Sequence, residues 1–218
     1  MCGRFTIAVE KETLDTYVTD RYEVESISEF IVPIYNISPG NKIISVINNG
    51  TKNRIGLLKW GYLPDFPIKD KIGFINARSE TLFDKPSFKK AALKQRCIII
   101  ADGYYEWDKY KQPMRITTDQ KLFGIAGIWN TFIDSDGNKN HTVAIVTTNA
   151  RDDISSIHER MPVILTKEKE NIWLNPYQNI EELKSVLKPY EGRLDAYPVS
   201  KEVNYSNNNY SGLIVNIN

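Results

Sequence analysis

The sequence predicts an α+β protein with a largely antiparallel, barrel-like β-sheet core and a few peripheral helices. Strand-like apolar runs outnumber helical segments, the two kinds do not alternate strictly along the chain, and turn signals such as NNG separate several runs. Strict alternation would have indicated parallel βαβ units instead. The chain has 218 residues, 41% of them hydrophobic, which allows a sizeable core, and we predict a single domain over residues 1–218.

Each predicted strand is a run of branched and aromatic side chains bounded by turn residues. The first lies near the amino terminus, where Phe5 and Ile7 alternate with the polar Arg4 and Thr6. The later runs are, in chain order, IISVIN, IGLLKWGY, RCIIIADGYYEW, LFGIAGIWNTF, HTVAIVTTN and PVIL. The turn signal DSDGN separates two of them.

The predicted helices are fewer and combine helical spacing with start signals. They are KETLDTYV, the segment PSFKKAALK that Pro86 opens, a short piece around RDDISSI, KEKENIWL and IEELKSVL.

Residues 71–121 hold eleven Lys and Arg against six Asp and Glu, a local net charge of +5. A basic region of this kind can follow phosphates. Helical spacing favours a solvated helix face instead for four of its lysines, namely Lys85, Lys89, Lys90 and Lys94.

Composition excludes several classes of protein. The net charge of +1 gives no global attraction to nucleic acid. No apolar run approaches the roughly 20 residues of a membrane span, and the first twelve residues lack the apolar region of a signal peptide, so we expect a cytoplasmic protein without membrane contact. A zinc site built from Cys2, Cys97, His141 and His158 would lack any closely spaced ligand pair, and we predict neither a metal nor a cofactor.

Cys2 directly follows the initiator methionine. If Met1 is removed, Cys2 carries a free α-amine and a thiol on adjacent carbons, with reference pKa values of roughly 7.7 to 8.0 and about 8.5. Near neutral pH both groups keep a nucleophilic fraction, so one residue offers two nucleophiles. The alternative is a chance residue in a frayed terminus, but the strand-like pattern that follows Cys2 indicates a terminus tied into a sheet.

Polar side chains able to take part in catalysis lie in three further segments. In GFINARSE, Asn76 and Arg78 share a face if the stretch is extended. In ADGYYEWD, Glu106 lies among aromatic residues and is a candidate for a raised pKa and acid–base work, the alternative being a solvent-facing side chain at a strand end. In SSIHERMPVIL, His158 could transfer protons near neutral pH, whereas we expect His141 at the surface.

The turn LKWGYLPDF brings aromatic residues onto a Gly- and Pro-containing segment, suited to core packing or to stacking on bases. Core packing is favoured for Trp60. Exposure is expected for Phe66, which lies between Asp65 and Pro67.

Eight segments in order resemble the signature segments of the SOS response-associated peptidase (SRAP) family, whose members crosslink covalently to abasic sites in DNA. They are MCGRFT, YNISPG, WGYLP, FINARSE, ADGYYEW, TTNA, IHERMPVIL and PVSKEVN. The resemblance extends from Cys2 to about Asn204, and each segment alone would be a weak signal. It implies a β-rich α+β fold with a terminal Cys, an Asn, a Glu and a His in one site.

By this resemblance the catalytic residues are Cys2, Asn76, Glu106 and His158. Residues expected to bind DNA are Arg4 and Arg78 at phosphates, Asn36, Pro39 and Gly40 in a loop lining the site, and the aromatic Trp60 and Phe66. Two features depart from the family. Asp65 and Phe66 occupy positions where some relatives carry two tryptophans, and the tail VNYSNNNYSGLI differs from the sequence usual in the family at that point. Both departures concern DNA context rather than the four catalytic positions.

The predicted function is binding of abasic sites in single-stranded DNA by a monomer, followed by a thiazolidine crosslink through Cys2 after Met1 removal. Weak lyase activity through a Schiff base and self-removal of Met1 are further expectations. One alternative is an N-terminal-nucleophile amidohydrolase, in which the Cys2 thiol attacks an amide. Another is a non-enzymatic single-strand-binding module, whose binding would be lost at high salt.

Overall fold

The computed structural model describes residues 2–24, 30–69, 72–133 and 136–218. Met1 and the first two residues of the DSDGN turn lie outside these ranges. The strands of the described chain are β1 (Arg4–Ile7), β2 (Ile34–Ile37), β3 (Lys42–Asn48), β4 (Asn53–Trp60), β5 (Asn76–Arg78), β6 (Arg96–Ala101), β7 (Gly103–Trp107), β8 (Pro113–Thr118), β9 (Phe123–Ile133), β10 (Lys139–Asn149), β11 (Arg160–Pro162), β12 (Ile164–Leu165) and β13 (Leu194–Pro198). The α-helices are α1 (Lys11–Tyr22), α2 (Pro86–Lys94), α3 (Asp152–Ser155), α4 (Lys167–Leu174) and α5 (Ile180–Ser185).

Five strands form a closed ring in the order β10, β4, β3, β6, β9 and back to β10. Every pairing in the ring is antiparallel except that of β4 with β10, which is parallel and closes it. Closure removes the exposed edges that an open sheet would present. The predicted fold class, a largely antiparallel and barrel-like sheet with peripheral helices, is therefore confirmed.

A second antiparallel sheet has the order β13, β8, β7, β1 and β2. The prediction of RCIIIADGYYEW as one strand was wrong. The run forms two strands, β6 in the closed ring and β7 in the second sheet. Asp102 lies at the division, where its carboxylate accepts hydrogen bonds from Arg115 at 2.8 Å and from the Thr6 hydroxyl at 2.5 Å. A Cβ atom on Gly103 would lie 2.9 Å from the Arg115 guanidinium, so a larger residue would displace the guanidinium from its position in this ion pair.

The helices pack on the outside of the sheets. In α2, Phe88, Ala91 and Ala92 are buried at helical spacing. The four lysines predicted to form a solvated face are exposed, which confirms that expectation. No helix of the described residues is long and apolar enough to cross a membrane.

Candidate active site

Cys2 lies two residues before β1 with its side chain fully buried, so the described terminus is packed rather than frayed. β1 runs antiparallel to β7, with Arg4 opposite Tyr105 and Phe5 opposite Tyr104. Because the two strands run in opposite directions, the residue after Tyr105 lies towards Cys2. This pairing brings Glu106 beside the nucleophile.

Asn76 reaches Cys2 from the other sheet. Its side-chain amide donates a hydrogen bond to the Cys2 carbonyl oxygen at 3.0 Å. β5 holds it in place by parallel pairing with β10, where Asn76 is opposite Ile145 and Arg78 is opposite Thr147. The extended conformation places Asn76 and Arg78 on one face, as the sequence predicts.

Glu106 is 2% exposed, which excludes the solvent-facing alternative. Burial raises the pKa of its carboxyl group to about 7. Burial, and next the charge of Glu106, also raise the pKa of the Cys2 thiol above its ordinary value. Glu106 can therefore gain or lose a proton near neutral pH, while the Cys2 thiol needs a base to become a thiolate.

His158 is half-buried between α3 and β11. Its Nδ1 accepts a hydrogen bond from the Arg160 backbone N–H at 2.9 Å, which assigns the proton of the neutral ring to Nε2. Burial lowers the pKa of His158, so the neutral ring is the main form at pH 7. The preceding segment lies near the site, since Arg151 and Asp153 act on the Tyr104 phenol together with Cys2 and Glu106.

The sequence reasoning missed an ion pair that joins two motif segments. The Arg160 guanidinium binds both carboxylate oxygens of Glu80, at 2.6 and 2.9 Å, and donates to the Asn149 side chain at 2.5 Å and the Thr147 carbonyl at 2.8 Å. Glu80 closely follows Arg78, and Arg160 closely follows His158. Glu80 lies in the motif FINARSE and Arg160 lies in IHERMPVIL, but a single sequence does not show that the two residues pair.

Arg4 and Asn36, which the resemblance predicts to contact DNA, bind the carboxyl-terminal segment in this structure. Arg4 donates to the Asn36 side chain at 2.7 Å and to the carbonyls of Val203 at 2.6 Å and Asn204 at 3.3 Å. The side-chain amide of the buried Asn36 donates to the same Val203 carbonyl and to the carbonyls of Tyr205 and Asn208. A phosphate contact by Arg4 would have to share a guanidinium that already has three acceptors.

The remaining residues predicted to bind DNA differ in their exposure to solvent. Trp60 is fully buried against Phe5, with its indole N–H bound to the Ile75 carbonyl at 2.8 Å, which confirms core packing and leaves no surface for a base. Phe66 is 45% exposed, as expected. Pro39 is half-buried and Gly40 is exposed, with the Gly40 N–H bound to Trp60 O at 2.8 Å.

Arg78 is exposed, and its guanidinium has no hydrogen-bond acceptor among the described residues. It is therefore available to a ligand in a way that Arg4 is not. His141 is exposed at the surface, as predicted.

Comparison with known proteins identifies the family of the chain. A family model described as SOS response associated peptidase (SRAP) matches residues 1–206. Abasic site processing protein YoqW of Bacillus subtilis (strain 168) is 42% identical over 98% of this chain and 99% of its own. Abasic site processing protein YedK of Escherichia coli (strain K12) is 32% identical over 80% and 79%. A crystal structure of a protein from Bacteroides thetaiotaomicron superposes with a TM-score of 0.79 at 27% identity, covering 92% of this chain and 93% of that one. The chain belongs to the SOS response associated peptidase family.

Proposed function

We propose that the protein processes abasic sites in single-stranded DNA by forming a covalent crosslink through Cys2 after Met1 has been removed. The observation that carries this proposal is the placement of Cys2, held by Asn76 and adjacent to a carboxyl group whose pKa is about 7. The names of the relatives, abasic site processing proteins, support it.

An abasic site interconverts between a closed hemiacetal and an open aldehyde. Glu106 and His158 move the protons that open the ring, and the Cys2 amine then attacks the aldehyde carbon. A C–N bond forms, the carbonyl oxygen leaves as water, and the product is a protonated imine. The Cys2 thiolate next attacks the imine carbon, which completes a thiazolidine ring in an intramolecular and therefore fast step.

The other residues orient the reactants. Asn76 holds the backbone of Cys2, and Arg78 binds a phosphate at the rim of the site, setting register without reading sequence. The exposed Phe66 offers a ring for stacking against a neighbouring base. The imine stage also permits β-elimination, so we expect weak lyase activity. Removal of Met1 by the protein itself, a monomeric state and a cytoplasmic location remain predictions.

The test is incubation with an oligonucleotide that carries one abasic site, followed by a denaturing gel. A band that survives denaturation is expected, and a tetrahydrofuran analogue, which has no aldehyde, should be bound but never crosslinked. Intact-mass measurement of the same sample establishes whether Met1 is absent. Binding that is lost at high salt without any adduct would contradict the proposal, and ammonia release from glutamine would favour the amidohydrolase instead.

A further inference from the structure

The Tyr104 hydroxyl is buried and has no hydrogen-bond partner among the described residues. Buried polar groups almost always find partners, so an unpartnered phenol next to a reactive site calls for a physical reason. Its neighbour on the strand shows the ordinary arrangement. The Tyr105 hydroxyl donates to the carbonyls of Tyr35 at 2.9 Å or Leu213 at 3.3 Å.

Strand geometry directs the Tyr104 side chain towards the site. Tyr104 and Glu106 are two residues apart on β7, so both lie on the face opposite to that of Tyr105. Tyr104 is also paired with Phe5, three residues after Cys2.

The charged and titratable groups that act on the phenol are Cys2 and Glu106 from the paired strands, and Asp153 and Arg151 from the α3 segment. Burial, followed by the charge of Cys2, raises the pKa of Tyr104 well above its ordinary value. The phenol therefore keeps its proton throughout the working pH range and acts as a hydrogen-bond donor.

The Cys2 sulfur needs such a donor. Its thiol is fully buried, and a thiolate in that position is destabilised by lost hydration. Glu106 can accept the thiol proton, and the carboxylic acid so formed can return one hydrogen bond to the sulfur, whose other lone pairs still lack a donor. Asn76, for its part, is bound to the Cys2 backbone.

We propose that Tyr104 is a catalytic residue of ring closure, donating a hydrogen bond to the Cys2 sulfur as it attacks the imine carbon; this inference rests on the proposed function. The thiol proton passes to the Glu106 carboxylate, the sulfur lone pair forms the C–S bond, and the electrons of the C=N bond return to nitrogen. Tyr104 keeps its proton throughout and exchanges none.

The test compares Tyr104→Phe with Tyr105→Phe as the matched control. Two rates are measured for each variant with an oligonucleotide holding one abasic site: imine formation, trapped by borohydride, and formation of the adduct that is stable without borohydride. For Tyr104→Phe, imine formation should keep the wild-type rate while closure slows by about 10- to 100-fold, the range for a hydrogen bond to a charged group, so that trappable imine accumulates. For Tyr105→Phe, the thermal midpoint should fall while both rates stay unchanged.

Because imine formation is measured in the same sample, it also corrects for any loss of folded protein. Unchanged closure in Tyr104→Phe, or equal slowing of both steps, would overturn the inference. Equal loss of closure in Tyr105→Phe would do the same. A wild-type protein that yields neither imine nor stable adduct would overturn the proposed function, and this inference with it.

Discussion

The proposed site combines an inner wall, namely Cys2, Asn76, Tyr104 and Glu106, with two exposed residues proposed to bind DNA, Arg78 and Phe66, which we call the rim. Strand pairing within two sheets and a hydrogen bond between them hold the wall in place. The rim residues are exposed, and their side chains make no hydrogen bond within the part of the chain that the structure describes. The difference indicates that the groups proposed to form bonds are preorganised, whereas the groups proposed to bind DNA are not.

The largest expected effect comes from altering Cys2 on the wall. Keeping Met1 or adding a residue before Cys2 should abolish the adduct, although the thiol remains, because the amine is then an amide. Cys2→Ser keeps the amine and should give at most an imine that needs borohydride to survive, since a hydroxyl is the poorer nucleophile. Both outcomes are read on a denaturing gel.

A stable adduct from the blocked protein would show that the thiol acts alone. Arg78→Ala serves as the control from the rim, because it should still form the adduct once DNA is in excess.

Glu106→Gln is expected to slow crosslinking by about 10- to 10,000-fold, the range for acid–base groups, with DNA binding nearly unchanged. The wild-type rate of ring closure should fall as the pH drops below about 7, because the carboxylate that accepts the thiol proton is then protonated. The variant should lack this dependence. A rate profile with the same inflection in Glu106→Gln would contradict the assignment.

The same substitution should stabilise the fold at high pH. The folded-state pKa of Glu106 lies above the unfolded value, so this group favours the folded state at low pH and loses that effect as the pH rises through about 7. Removing the buried charge should then raise the free energy of unfolding at pH 8 by at most about 3 kcal/mol, and by little at pH 5. Thermal unfolding at the two pH values measures the difference.

Some of this arrangement was predictable from the sequence. Apolar runs identified the barrel strands, Pro86 and helical spacing identified α2, and the spacing of two between Asn76 and Arg78 predicted a shared face. The division of RCIIIADGYYEW was not predictable, because it depends on Asp102 pairing with Arg115, a partner on another strand. The same holds for the bonds from Arg4 to residues 203 and 204, since a single sequence contains no signal for contacts that distant.

Substitution of Arg160 tests whether the reaction depends on the ion pair with Glu80, which takes no direct part in bond formation. Arg160→Lys keeps the charge but loses the bidentate contact with Glu80, and it should lower the free energy of unfolding by about 1–3 kcal/mol. Because the guanidinium contacts fix the position of the backbone N–H that orients His158, we expect crosslinking to slow by about tenfold, within the range for acid–base groups. Single-turnover rates at saturating DNA separate this effect from binding, and a weaker affinity with an unchanged rate would place Arg160 in the rim.

The smallest effects distinguish the two arginines that the sequence predicts as phosphate contacts. Arg78→Ala should weaken binding to every DNA sequence alike and reduce the salt slope by about 0.7 for single strands, with stability changed by less than about 0.5 kcal/mol. Arg4→Ala should do the reverse, because it removes three internal hydrogen bonds and leaves the side-chain oxygen of the buried Asn36 without its donor, at a cost of about 1–3 kcal/mol. Salt titrations of binding and thermal unfolding of both variants measure the two quantities. If Arg4→Ala lowers the salt slope as much as Arg78→Ala, Arg4 must leave the carboxyl-terminal segment when DNA binds, and the rim then extends to β1.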